Sequence, residues 1–142
     1  MRPLGAADAK HMAALHAQSF ERSWDALEMA AHIARDLCLG VEHAGQLAAF
    51  IIVSRAADQA EILTLAVANS AQRQGFGRKL VDGAAEQLRQ ARCAELFLEV
   101  AEDNLAAIAL YRAAGFQPIG RRPAYYRREA GRLAAISFAK KL

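Results

Sequence analysis

Residues 72–80 read QRQGFGRKL. Gly75 and Gly77 follow a polar Gln-Arg-Gln run and lead into a stretch with helical periodicity. Between Gly75 and Ala91, Phe76, Leu80, Val81, Ala84, Ala85 and Leu88 form one apolar stripe, opposite Lys79, Asp82, Glu86 and Arg89. Strand-like runs flank this helix: AEILTLAV at 60–67 and AELFLEV at 94–100. The second is apolar on both faces, which suits a central strand covered on both sides. Strand, helix and strand in that order predict a right-handed βαβ unit, with the glycine pair at its strand-to-helix turn.

A helix N-terminus leaves backbone N–H groups unpaired and carries partial positive charge, so it attracts anions. Glycines let a ligand approach the backbone, and Arg73 and Arg78 add charge suited to a phosphorylated ligand. A glycine here can also serve only as a helix cap, and the turn alone leaves both readings open. It is neither a Walker loop, since GxxxxGK[ST] is absent, nor the dinucleotide fingerprint GxGxxG, whose third glycine is replaced by Leu80.

Outward from this unit, Ala9, Met12, Ala13 and Leu15 predict a helix over 8–19 with Asp8 as its N-cap. A second helix is expected after Ser23 in WDALEMAAHIA, with Leu27, Ala30, Ala31 and Ala34 on one face. DLCLGVEHAGQLAAFIIVSRA reads as a hairpin turning at Ala44-Gly45. NLAAIALYRAAGF reads as a short helix closed by Gly115. FQPIG and GRLAAISFAKKL read as two strands joined by an arginine-rich loop. The expected fold class is α/β or α+β with a mixed sheet, built as a single domain over 1–142.

A hydrophobic content of 54% excludes a disordered chain, and no run of about 18 apolar residues is present to span a membrane. The first residues, MRPLGAADAKHMAALHA, place Asp8, Lys10 and His11 where a signal peptide needs an unbroken apolar stretch. A cytoplasmic protein is expected. Cys38 and Cys93 lie in apolar surroundings and are expected to be buried free thiols. His11, His16, His32 and His43 show no metal-ligand spacing, so no metal is expected. Net charge is +3. Arg121, Arg122, Arg127, Arg128 and Arg132 concentrate the positive charge near the end, as a solvated loop or an attractor of acidic ligands. No RNA-binding motif with interleaved aromatics accompanies them, so direct nucleic-acid binding is not expected.

Gln72-x-x-Gly75-x-Gly77 resembles the Q/R-x-x-G-x-G/A acetyl-CoA signature of the GNAT acetyltransferase superfamily. LEVAEDNLAAIALYRAAGF resembles the superfamily's second signature. The span from LAV to YY (65–126) is similar to the RimI branch, the ribosomal-protein-alanine N-acetyltransferases, with its QRQG-x-G, LEV, AAIALY, GF and RR…YY elements. The resemblance implies a mostly antiparallel sheet with a central parallel strand pair, opened into a V and flanked by helices. The pantetheine arm of acetyl-CoA would lie along Leu65, Ala66 and Val67. Its pyrophosphate would sit on the amides of Arg73, Gln74, Gly75, Phe76, Gly77 and Arg78, and Asn104 would contact the arm from the next helix.

Acetyl transfer needs a neutral amine, hence a base, and a proton for the departing thiolate. Glu99, the one charged residue inside LFLEV, is a candidate base, with apolar neighbours expected to raise its pKa. A solvent-reaching carboxylate at a strand end explains it as well, but the branch places its base here. Glu61 is the reserve. Tyr111 stands at the branch's general-acid position and is also assigned to the cofactor site, although packing alone accounts for an aromatic there. The N–H of Val67 would meet the developing oxyanion.

Trp24, Tyr125 and Tyr126 are expected to line the acceptor site, although aromatic packing within the hairpin accounts for the two tyrosines as well. The chain departs from the branch in three places. Ser23 and Asp25 flank Trp24 where Pro and Ser/Thr are usual, Leu133 and Ala134 replace acidic residues, and Pro123-Ala124 stand where one residue is common. The expected acceptor is a protein N-terminus, such as that of a ribosomal protein. A small amine (polyamine, amino acid or antibiotic) is the alternative, and a non-catalytic acetyl-CoA-binding module is a third.

Overall fold

The computed structural model describes residues 1–128 and 131–142, without the side chains of 124 and 126–128. The elements are β1 (Arg2–Pro3), α1 (Ala9–Ser19), α2 (Ala26–Arg35), β2 (Leu37–His43), β3 (Gln46–Ala56), β4 (Gln59–Val67), α3 (Phe76–Gln90), β5 (Glu95–Ala101), α4 (Leu105–Ala113), β6 (Gln117–Arg128) and β7 (Gly131–Lys141). The strands form one seven-stranded sheet in the order β1-β2-β3-β4-β5-β7-β6. β4 and β5 are parallel and the other described pairings antiparallel. The mixed sheet and the βαβ unit of β4, α3 and β5 agree with the sequence.

Local chemistry accounts for most of the boundaries. Ala44 (φ 54) and Gly45 (φ 79) both take the left-handed region, as a two-residue turn matched to strand twist requires. At the end of α4 the N–H of Gly115 donates to Arg112 and that of Phe116 to Tyr111, the paired bonds of a Schellman cap. The same cap closes α3, but Arg92 (φ 63) takes the glycine's place. Asp25 caps α2: its carboxylate accepts from Glu28 N–H at 2.8 Å while Glu28 accepts from Asp25 N–H at 3.1 Å, an arrangement contributing about 1 kcal/mol.

Three sequence expectations fail. Asp8 makes no side-chain cap on α1; its carboxylate accepts from the N–H of Gly5 and pairs with Arg2, bracing the chain before the helix. The inward face of α2 is Ala26, Met29, Ala30 and Ile33, not the Leu27 face, and Leu27 is 81% exposed. The arginine-rich segment is strand, because β6 continues through Arg121 and Arg122 to Arg128. As an edge strand β6 needs hydrogen bonds on one side only, so it tolerates Pro118, Pro123 and a charged row.

The sheet buries both faces in its first half. α3 and α4 cover one side, with Leu80 and Val81 of α3 packed among Ile51, Val53, Ile62, Leu96 and Leu98 of the sheet. α1 and α2 cover the other, with Met12, Leu15 and Met29 packed among Phe50 and Ile52 of the sheet. Cys38 and Cys93 are buried free thiols, as expected.

A β-bulge in β4 positions the site. Val53 pairs with Ile62 but Ile52 pairs with Thr64, leaving Leu63 as the extra residue. Side-chain alternation changes phase there. Ala60 and Ile62 face α3 and α4, whereas Thr64 meets α1 and Ala66 joins the α1/α2 core. A bulge bends its strand and increases its twist. The parallel pairing with β5 ends at Ile62↔Leu98, directly before the bulge, while β4 runs on to Val67 and β5 to Ala101. The two strands therefore part at the centre of the sheet.

Candidate active site

The parting strands open toward the start of α3. Gly75 is the N-cap residue of that helix (φ 79, ψ 10), and no side chain caps it. A Cβ on Gly75 would meet nothing within 4 Å, so space lies open beside the turn. A Cβ on Gly77 would stand 3.1 Å from Leu110 Cδ2 and 3.7 Å from Leu65 Cδ2. Gly75 thus supplies backbone conformation and access, and Gly77 lets α3 approach α4 and β4 closely. Arg73 takes a left-handed φ of 63° in the same turn. Arg78 pairs with Asp82 at 3.0 Å instead of standing as an isolated cation. Asn104 caps α4, its Oδ1 accepting from Ala107 N–H at 3.2 Å.

Leu65 and Val67 pack partly against the α3/α4 core beside Phe76, and Ala66 is buried on the opposite side. Tyr111 is 6% exposed, and its ring meets Phe116 edge-on with centroids 5.5 Å apart.

On the side of β5 and β7 away from α3, a cavity of about 340 Å³ is lined by Ser54, Glu61, Phe97, Glu99, Ile119 and Ser137, among others. Both candidate bases therefore face one cavity. Arg122 donates from Nη2 to Glu99 Oε1, and its guanidinium lies 4.4 Å from the centroid of the Tyr125 ring. Arg121 pairs with Glu102 at 3.0 Å. Glu99 was expected among apolar neighbours, but a guanidinium lies on one of its oxygens.

Tyr125 is 49% exposed beside this cluster, whereas the side chain of Tyr126 lies outside the described residues. Trp24 is half-buried with both ring faces occupied, stacked on His16 at 4.9 Å and on His32 at 4.6 Å.

Two contacts had no sequence signal. Arg122 and Glu99 sit on strands separated by β7. Glu99 pairs with Ser137, Ser137 with Gly120, and Arg122 with Ala135. The small side chains on β7 let the arginine reach across. His16, which no motif marked, is buried at 2% exposure and bonds Thr64 at 3.1 Å.

A profile described as the Acetyltransferase (GNAT) family matches residues 9–116. The chain belongs to the GNAT family. A [Ribosomal protein bS18]-alanine N-acetyltransferase from Escherichia coli (strain K12) is 41% identical over 95 residues, which is 67% of this chain but only 64% of that relative. The match thus spans slightly under two thirds of the relative's length. An N-alpha-acetyltransferase RimI from Mycobacterium tuberculosis is 36% identical over 129 residues, covering 85% of this chain and 80% of its own. The crystal structure of the ribosomal-protein-S18-alanine N-acetyltransferase from Escherichia coli superposes with a TM-score of 0.92 at 32% identity, over 99% of this chain and 91% of that one. This GNAT chain therefore has the fold that its two signatures imply. Among the described residues, no helix is long and apolar enough to cross a membrane.

Proposed function

We propose that this chain is an acetyl-CoA-dependent N-acetyltransferase, a single domain over 1–142 that acts in the cytoplasm on the N-terminal α-amine of a protein, such as a ribosomal protein. The observation that carries the reading is the parting of β4 from β5 after Ile62↔Leu98, opposite the open Gly75 turn. A strand edge without its neighbour offers backbone groups to an extended amide arm, and a helix N-terminus offers amides to a pyrophosphate. The residues fit the cosubstrate on both counts. Leu65, Ala66 and Val67 would hold the arm and residues 73–78 the pyrophosphate, with Asn104 and Tyr111 alongside.

Bound acetyl-CoA would supply a thioester carbonyl activated for attack by an amine. Glu99 would accept the amine's proton from the 340 Å³ cavity, held in place by Arg122. Val67 N–H would donate toward the carbonyl oxygen, and Tyr111 would return a proton to the thiolate. Trp24, Tyr125 and Tyr126 would bound the acceptor. The test is acetyl-CoA turnover against a panel of N-terminal peptides, lysine peptides, polyamines and antibiotic amines. Preference for alanine-starting peptides is the expected result, and a polyamine or antibiotic amine as the best acceptor would overturn the protein N-terminus.

A further inference from the structure

His16 is a buried titratable group that the proposed chemistry does not use, and it makes more directed contacts than filling a core requires. Its Nδ1 lies 3.1 Å from the backbone nitrogen of Trp24. A backbone N–H can only donate, so Nδ1 accepts and is unprotonated. The proton of the neutral ring is then on Nε2, which donates to Thr64 Oγ1 at 3.1 Å. Phe20 stacks on the ring at 4.3 Å and Trp24 at 4.9 Å, which fixes its plane. His32 continues the stack beyond Trp24 and is itself held by Asp36 through Nδ1 at 2.7 Å. Burial pushes the His16 pKa down to about 4, so one nitrogen accepts while the other donates throughout the neutral range.

Thr64 is the first residue past the bulged Leu63, where β4 leaves β5. A single ring therefore joins α1, the segment before α2 and the diverging half of β4.

We propose that His16 is a positioning residue that registers the two halves of the active site. Through Thr64 it fixes the strand carrying Leu65–Val67, and through the Trp24 backbone it fixes the acceptor wall. The inference rests on the reading that Leu65–Val67 hold acetyl-CoA and that the Trp24 segment bounds the acceptor. Neutral imidazole is suited to the role because donor and acceptor stand on opposite sides of one rigid plane.

Three conservative variants separate the two arms. His16→Asn keeps an acceptor at the δ position for Trp24 N–H and loses the bond to Thr64. His16→Gln keeps a donor at the ε position for Thr64 and loses the bond to Trp24. Thr64→Val removes the hydroxyl at nearly constant shape. Calorimetric Kd for acetyl-CoA, Tm, and kcat and KM for the best amine would be measured for each.

Misplacing reacting groups by an ångström can cost up to about a hundredfold in rate. His16→Asn and Thr64→Val are expected to weaken acetyl-CoA binding about fivefold and lower kcat about tenfold, with amine KM near the parent's. His16→Gln is expected to raise amine KM about fivefold with acetyl-CoA Kd unchanged. A fall in Tm with every Kd, KM and kcat within twofold of the parent would overturn the proposal, as would equal changes in all three variants. A parent that binds acetyl-CoA but acetylates no amine would sink the proposed function instead, and the Kd pattern would still decide the Thr64 arm.

Discussion

Arg122 on β6 places its guanidinium on Oε1 of Glu99 on β5, crossing the strand between them. Exposed ion pairs contribute little, about 0–1 kcal/mol, and Arg122 is 55% exposed against 21% for Glu99. Stability therefore gives little reason for the pair, whereas orienting a carboxylate beside the cavity does. Arg122→Gln is expected to lower kcat about tenfold with acetyl-CoA affinity and Tm close to the parent's. Arg122→Lys, which keeps the charge but loses the planar fork, should fall between the two. Steady-state kinetics would check both, and a kcat equal to the parent's in Arg122→Gln would reduce the pair to a surface contact.

The Gly75 turn separates strain from repulsion. At φ 79 any side chain is strained, so Gly75→Ala should cost about 1 kcal/mol of stability. It should weaken acetyl-CoA modestly, because the space beside Gly75 is open. Gly75→Asp adds a carboxylate where a pyrophosphate is proposed, and about a hundredfold loss of affinity is expected. Calorimetry on the folded variants would read the difference. Equal affinities for Gly75→Ala and Gly75→Asp would move the anion site elsewhere.

Tyr111→Phe keeps the ring against Phe116 and removes only the hydroxyl. The fold and the acetyl-CoA Kd are expected to hold, while turnover falls by about ten- to a hundredfold. Turnover matching the parent's across the pH range would leave Tyr111 a packing residue.

The His16 shift gives a stability window with a definite sign. Its pKa lies at about 4 in the fold against an ordinary 6.5, so the unfolded chain binds the extra proton between those values. Stability is complete above about pH 6.5 and is lost as pH falls toward 4, by up to about 3 kcal/mol. Asp8, held at about 2 by Arg2, acts in a separate window below its ordinary 3.8. Urea unfolding of parent and His16→Gln at pH 7 and pH 4.5 would isolate the contribution of this histidine. A parent whose pH dependence equals the variant's would contradict it.

The central unit was legible in the sequence because its signals are local: a helical stripe from Phe76 to Leu88, glycines at 75 and 77, and Gly115 after the last helix. What escaped depends on neighbours distant in the chain. Leu63 stands between Ile62 and Thr64 in an ordinary strand-like run, so nothing marks it as the bulge that turns β4 away from β5. Met29 and Leu27 are both apolar in α2, and only the placement of α1 decides which is buried. Arg92 closes α3 in a conformation usually left to glycine. The arginines of β6 looked like a loop because an exposed edge strand need not alternate. Glu99 stands out in the sequence as the one charged residue inside LFLEV, but its partner Arg122 depends on β7 lying between β5 and β6.

The proposed acceptor preference follows from the proton chemistry of Glu99 as the proposed base. A peptide α-amine has a reference pKa of about 8 and a lysine amine about 10.4, so near neutral pH the α-amine is neutral far more often. Alanine-starting peptides are expected to exceed matched lysine peptides in kcat/KM by about a hundredfold at pH 7, and the gap should narrow as pH rises toward 10. Glu99→Gln keeps the side-chain shape but accepts no proton, so turnover should fall at least about a hundredfold with acetyl-CoA affinity preserved. Glu61→Gln, in the same cavity, should fall less than tenfold. If Glu99→Gln matches the parent on the best peptide while Glu61→Gln fails, Glu61 takes the base role, and if neither variant changes the rate, solvent carries the proton.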